Sequence, residues 1–256
     1  MKFRLRAFGL HLAGSACVLA LVLGSFYFGW YRWPGWYLSG VLNVVLVMCL
    51  VDVALGPSLT LVVANPHKAR SVLQRDIVII VAAQVVALVY GTITLWIGRP
   101  LYYTYSYQSL DMVQASDLEA DDVAQALKDN PAFAPHWYSG VRWVWAPMPA
   151  DPESAAKIAG GTTFGAQDVV DMPRYFKPWS DGLPELRKNL QRVGDITAFS
   201  KPERDWLAGR MAAAGMPPTQ ANTMVLWGEQ GTRPMLTVFD PQSLEIRAML
   251  RVPGRR

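Results

Sequence analysis

The chain has 256 residues, 52% of them hydrophobic and 17% charged, whereas a soluble domain of this size carries about 25% charge. The deficit lies within residues 7–98, where His11 and Asp52 are the only ionisable residues inside long apolar runs. Residues 1–100 hold 8 Lys and Arg against 2 Asp and Glu, and residues 101–256 hold 16 against 18. The C-terminal part is therefore slightly acidic and has no basic stripe interleaved with aromatics, which argues against nucleic-acid binding. Cys17 and Cys49 both fall in apolar runs, so the C-terminal part forms no internal disulfide and cysteine usage does not identify its compartment.

The first run, 7–31, is about 25 residues long, more than the ~20 that cross a bilayer core. Lys2, Arg4 and Arg6 precede it, as they would a signal peptide. A signal core is shorter and ends in small residues. This one ends Phe26-Tyr27-Phe28-Gly29-Trp30-Tyr31-Arg32-Trp33, an aromatic interfacial belt. Gly14-Ser15-Ala16-Cys17 faintly resembles a lipoprotein site, but Gly14 stands where a large aliphatic residue is required. The reading is an uncleaved helix. Arg32-Trp33-Pro34-Gly35-Trp36 is expected to be a tight turn at the interface.

The second run, 36–64, contains Gly56-Pro57, where a kink or break is expected because proline lacks a donor and crowds the preceding turn. Asn65-Pro66-His67-Lys68-Ala69-Arg70 ends it, and the third run is 77–98, closed by Arg99-Pro100. Six basic residues (Lys2, Arg4, Arg6, Lys68, Arg70, Arg75) share one side and two (Arg32, Arg99) the other. The positive-inside rule then puts the N-terminus and the 65–76 loop in the cytoplasm and residues 101–256 outside. For a Gram-negative source, the chain is a multi-pass inner-membrane protein with a periplasmic C-terminal domain.

That domain reads as α+β. Residues 101–116, rich in tyrosine, are expected to be extended. Ser116-Asp117-Leu118-Glu119 reads as a capping box for a helix to about Asp129. A strand is expected over 141–146, then a short helix from Asp151-Pro152 stopped by Gly160-Gly161. Residues 184–193 are expected to be helical. Ser200-Lys201-Pro202-Glu203 reads as a second capping box, with its helix running to Gly215. Strands follow over 223–228, 235–240 and 244–252, with Asp240-Pro241 in a turn. The fold class is a membrane α-helical domain of three transmembrane helices (1–100) followed by a C-terminal soluble α+β domain (101–256).

Catalytic signals are sparse. No His-Glu-x-x-His, Gly-x-Ser-x-Gly, Walker A or paired-cysteine metal motif occurs. His136, beside Trp137, is expected to be an ordinary surface or half-buried histidine, and Asp121-Asp122 a solvated first helical turn. No enzymatic activity, cofactor or metal is expected. The polar residues inside the spans carry more information, because such groups usually face a protein interior or a partner. At 1.5 Å per residue, His11 lies about 6 Å along the first run, Asp52 about 24 Å along the second and Gln84 about 10 Å along the third. All three fall in one layer near the cytoplasmic side, with Asn43 and Tyr90 in a second layer nearer the outside. Two readings stand: interhelical bonds that hold the bundle together, or a site for a partner helix made of His11, Asn43, Asp52, Gly56, Pro57, Gln84 and Tyr90.

Trp33-Pro34-Gly35-Trp36-Tyr37, the run Asp52-Val53-Ala54-Leu55-Gly56-Pro57-Ser58-Leu59-Thr60, Asn65-Pro66-x-Lys68, Arg75-Asp76, Gln84, Ala87-Leu88-x-Tyr90-Gly91, Arg99-Pro100 and Asp171-Met172-Pro173-Arg174-Tyr175 resemble the type IV pilin accessory proteins of the TfpX/TfpZ type. The likeness is close in the membrane half and loose in the rest, and Asp-x-x-Leu-Gly-Pro is its specific part. It implies a non-enzymatic inner-membrane chaperone, surrounded by membrane lipid, that supports the stability or assembly of a cognate major type IV pilin, with the pilus assembly machinery as a possible further partner. The alternatives are a membrane-anchored sensor or signalling subunit, for which the cytoplasmic segments are too short to hold an output domain, and a membrane enzyme using Asp52 and His11.

Overall fold

The three apolar runs form three helices long and apolar enough to cross a membrane in the computed structural model, which describes residues 1–107, 109–163, 168–228 and 231–254. Contacts divide the chain into two compact units, Met1–Arg32 with Gly40–Arg99, and Trp33–Ser39 with Pro100–Arg256.

In the first unit, α1 spans Lys2–Gly29. The second run is not one helix from residue 36. A short helix, α2 (Gly35–Leu38), is followed by Gly40 at φ +65°, and only then does the long helix begin, as α3 (Leu42–Cys49). Glycine adopts that left-handed conformation without a Cβ penalty. The reason for the break lies in the second unit: Tyr37 and Leu38 are part of its core, and Leu38 is fully buried. The expected interfacial turn is thus a core-forming segment.

Beyond α3 the helix passes through one π-helical turn (Leu50–Leu55) into α4 (Gly56–Val63). The expected break at Gly56-Pro57 is therefore a change of register within a continuous 22-residue span, Leu42–Val63. The third helix, α5 (Arg70–Ile97), starts seven residues before the apolar run does. Lys68 and Asp76 tie the preceding loop to its first turns, at 2.9 Å.

The second unit is a seven-stranded mixed sheet with helices on both faces. Its strands are β1 (Pro100–Ser106), β2 (Ser109–Gln114), β3 (Arg142–Trp145), β4 (Lys177–Pro178), β5 (Thr223–Trp227), β6 (Met235–Phe239) and β7 (Ile246–Arg251), in the order β4-β3-β1-β2-β5-β6-β7. β1 and β2 form an antiparallel hairpin, and parallel pairings join β1 to β3 and β2 to β5. The helices are α6 (Ala120–Asp129), α7 (Pro152–Thr163), α8 (Trp179–Asn189) and α9 (Lys201–Ala213). Successive side chains of a strand point to opposite faces. Met235 and Phe239 of β6 accordingly join Tyr103, Tyr105 and Leu186 in one core layer, while Leu236 and Val238 join Phe199, Leu207 and Met211 in the other. All of β6 is buried, as expected of a central strand covered on both sides.

Several local expectations need correction. The 101–116 stretch is a hairpin, with Tyr107 turning at φ +49°, and the crowded tyrosines Tyr102, Tyr103 and Tyr105 are core residues. The first capping box joins Gln114 and Asp117 around a 3-10 turn, and α6 begins after it without a side-chain cap. α7 runs through Gly160-Gly161. α8 starts at Trp179, carries Pro184 inside it and ends before Val193. The Ser200–Glu203 capping box forms, with the Ser200 N–H donating to Glu203 Oε2 at 2.7 Å. The Asp240 turn also forms, its Oδ1 accepting from the Gln242 and Ser243 N–H groups at 2.9 Å each.

Candidate functional site

Within the first unit, one polar cluster joins all three long helices, and its origin is the backbone around Pro57. The π turn pairs residues five apart, and the Gly56 N–H donates to the Val51 carbonyl. The next rung of that register would run from residue 57 to the Asp52 carbonyl, but proline has no N–H. A buried carbonyl left unpaired is costly, so it needs a donor from elsewhere. Gln84 of α5 supplies it: its Nε2 donates to the Asp52 carbonyl at 3.0 Å. Gly56 makes this approach possible, because a Cβ there would overlap the Gln84 amide.

The network continues into α1. The Asp52 carbonyl can only accept, so it fixes the Gln84 amide with Nε2 towards it and Oε1 towards α1, where Oε1 accepts from His11 Nε2 at 2.7 Å. His11 Nδ1 and Thr60 Oγ1 share a bond of 2.6 Å, and Ser15 Oγ lies 3.4 Å from Gln84 Nε2. Asp52 is 5% exposed, and its Oδ2 has no hydrogen-bond partner among the described residues. Asp52 is among the residues that line a cleft of about 260 Å³ between α1 and α5, walled by Leu10, Gly14, Val18, Val81, Val85 and Leu88.

His11, Asp52, Gln84, Gly56 and Pro57 are thus brought together. Their depth differs from the sequence estimate. Because the second long helix starts at Leu42 rather than Trp36, Asp52 lies about 15 Å from either end of its span, midway along it. Ser15 and Thr60 were missed as members of the cluster. Ser15 follows His11 by four residues and so shares its helix face, a signal that was legible. Asn43 and Tyr90 do not form a second bonded layer. They line a separate, almost wholly apolar cleft of about 290 Å³ with Met48 and Gly91, and Tyr90 is 73% exposed. No hydrogen bond joins the two residues among the described ones.

In the second unit His136 stacks on Tyr138 at 5.2 Å and 5°. Among the described residues no group of three His, Cys, Asp or Glu is placed to hold a metal ion. Asp122 differs from expectation: it is buried and paired with Arg174 at 2.9 Å, while Asp121 remains exposed. Asn130 at the end of α6 donates to the carbonyls of Pro173 and Phe176, at 3.0 and 2.8 Å. The Asp171–Tyr175 segment therefore clasps α6.

Comparison with known proteins gives the following. No family model matches the chain, and no solved structure matches it. The chain is 25% identical over 189 residues to the fimbrial assembly protein of serogroup I from Dichelobacter nodosus, covering 73% of this chain and 71% of that protein. It is 25% identical over 202 residues to the serogroup E1 protein of the same organism, covering 78% and 75%. It is 28% identical over 124 residues to the protein of serogroups C1 and C2, covering 48% of this chain and 95% of the relative. The chain is similar to fimbrial assembly proteins over most of its length.

Proposed function

We propose that this protein is a non-enzymatic inner-membrane accessory factor that supports the stability or assembly of a cognate type IV pilin. The similarity to fimbrial assembly proteins over about three quarters of the chain carries this reading. The three helices cross the membrane, with the N-terminus in the cytoplasm and the second unit in the periplasm, as the six-to-two Lys/Arg asymmetry favours. A pilin awaiting assembly sits in the membrane through an apolar N-terminal helix with its globular head outside, so a helical unit joined to an external domain offers a surface to each part. The polar cluster of His11, Asp52 and Gln84 acts here as structure and recognition, not as chemistry.

The test is deletion of the gene in its source organism, with complementation. Surface pili are counted by electron microscopy, and major pilin protein and its transcript are measured in parallel. The expected result is loss of pili with a fall in pilin protein at constant transcript. Normal piliation and normal pilin levels in the deletion would reject the reading.

A further inference from the structure

We propose that the cleft between α1 and α5 is the docking site for an apolar membrane helix of another protein, one that brings a hydrogen-bond donor to Asp52 midway across the membrane. The inference rests on the reading above only in naming the pilin as the protein that supplies this helix.

Two independent features converge on the cleft. The first is shape. Its α1 wall carries Gly14 and Ser15, and nothing lies within 4 Å of where a Gly14 Cβ would stand, so a second backbone can approach closely there, as at other small-residue helix interfaces. The second is chemistry. His11, Gln84, Thr60 and Ser15 are already bonded to one another, whereas the buried Oδ2 of Asp52, a residue that lines this space, has no partner among the described residues. A buried carboxylate oxygen without a donor is costly, and apart from His11, Ser15 and Gln84, which bond to one another, the cleft wall is apolar.

The depth of Asp52 selects the occupant. It lies about 15 Å from either end of its span, so the amine of a lipid headgroup stays too far away to reach it. A second copy of this chain would bring its own His11, Ser15, Thr60 and Gln84 at that depth, and these are already joined within the protomer. A helix from another protein, apolar enough to lie in the membrane and carrying one hydroxyl, amide or ammonium donor near its middle, satisfies both the shape and the lone oxygen.

The experiment is photo-crosslinking of the full-length protein in the membranes of its source organism. A benzophenone amino acid is placed at Val18 or Val85 on the cleft walls, or at Val62 or Val86, which are exposed outside the cleft. Adducts are identified by mass spectrometry at matched protein abundance. The expected result is an adduct with the transmembrane segment of the major pilin from Val18 and Val85, and little from Val62 and Val86. Asp52→Ala should lower its yield about threefold or more, as loss of an average interhelical hydrogen bond would, while Asp52→Asn retains most of it. Gly14→Leu fills the cleft from a position with free space around it, so it should abolish the adduct without lowering protein level, which keeps the test decisive if Asp52→Ala misfolds. Yield unaffected by Asp52→Ala and Gly14→Leu, or adducts only with lipid or with a second copy, would overturn the proposal. Pilin loss in the deletion strain without a cleft-dependent adduct would sink the docking site and leave the functional reading standing. A cleft-dependent adduct with the membrane helix of a protein other than pilin, in a strain whose pili do not need this gene, would do the reverse.

Discussion

Gly56→Ala should act through Gln84, and a double-mutant cycle can show it. The added methyl would occupy the position of the Gln84 amide. If the helices move apart to admit it, the cost is that of overpacking, about 1–3 kcal/mol. If Gln84 swings away instead, its bonds to His11, the Asp52 carbonyl and Ser15 go with it. At an average of ~0.6 kcal/mol for an interhelical bond in a membrane, that loss is about 2 kcal/mol. Either route predicts about 2 kcal/mol for Gly56→Ala, and Gln84→Ala alone should cost a similar amount. In the double variant the alanine at 56 enters space that Gln84 no longer fills, so the total should stay near 2 kcal/mol rather than reach about 4, a clear departure from additivity. The assay is SDS titration of the purified full-length protein in mixed micelles, with labelling of the partly buried Cys49 in a Cys17→Ser background reporting the opening of α3. A double variant whose loss equals the sum of the single losses would refute the close approach of Gly56 and Gln84. So would a neutral Gly56→Ala.

Three further outcomes are expected. A reporter active only outside the cytoplasm should work when fused to the C-terminus and stay silent when inserted in the 65–69 loop; the opposite pattern would reverse the orientation drawn from the basic residues. Leu38→Ala, at a fully buried position, should destabilise the second unit by about 2–5 kcal/mol, seen as faster limited proteolysis of that unit, and unchanged proteolysis would show that Trp33–Ser39 is not part of its core. Burial, reinforced by the carboxylates of Asp117, Asp168 and Asp111, pushes Asp171 up to about 7, and burial pushes Asp111 up to about 6. Both bind their proton more tightly folded than unfolded, so their contribution to stability falls as pH rises from about 4 to 7. Asp171→Asn should therefore raise the thermal midpoint at pH 7.5 more than at pH 5, and a larger gain at pH 5 would contradict the sign.

The sequence was most informative where local rules act alone. The three apolar lengths, the Ser200–Glu203 capping box, the Asp240 turn and the last three strands follow from hydropathy, capping and turn chemistry that each need only a few neighbouring residues. It was least informative where tertiary packing overrides those rules. Residues Trp33–Tyr37 have the composition of an interfacial turn, yet Tyr37 and Leu38 are drawn into a core built from strands that begin more than sixty residues later. No pattern within residues 33–41 encodes that destination. Gly160-Gly161 looks like a stop, but α7 passes through it to Thr163, because glycine weakens a helix by only about 1 kcal/mol each and does not forbid it.

The polar cluster lies between these extremes, and the way it was partly legible shows what its residues do. Cost in hydrocarbon singles out His11, Asp52 and Gln84 one at a time, and counting residues places them at comparable depth. Counting cannot show why Gly56 and Pro57 stand beside Asp52. Pro57 withholds the donor that the π register assigns to the Asp52 carbonyl, Gly56 leaves the space through which a replacement can come, and Gln84, twenty-eight residues further on, supplies it. Each of the three would be a defect by itself: a missing hydrogen bond, a helix-weakening residue and an amide in an apolar span. Together they lock the second helix to the third. They also account for the Asp52 backbone while its side-chain Oδ2 has no partner among the described residues. If Asp52 served only to hold the bundle, the carboxylate would be the costliest way to obtain a carbonyl that any residue at position 52 provides. Gln84 reaches the Asp52 carboxyl as well as its carbonyl, yet Oδ2 is left without a partner among the described residues, and under the proposal above the cleft beside Asp52 is where a donor to that oxygen enters.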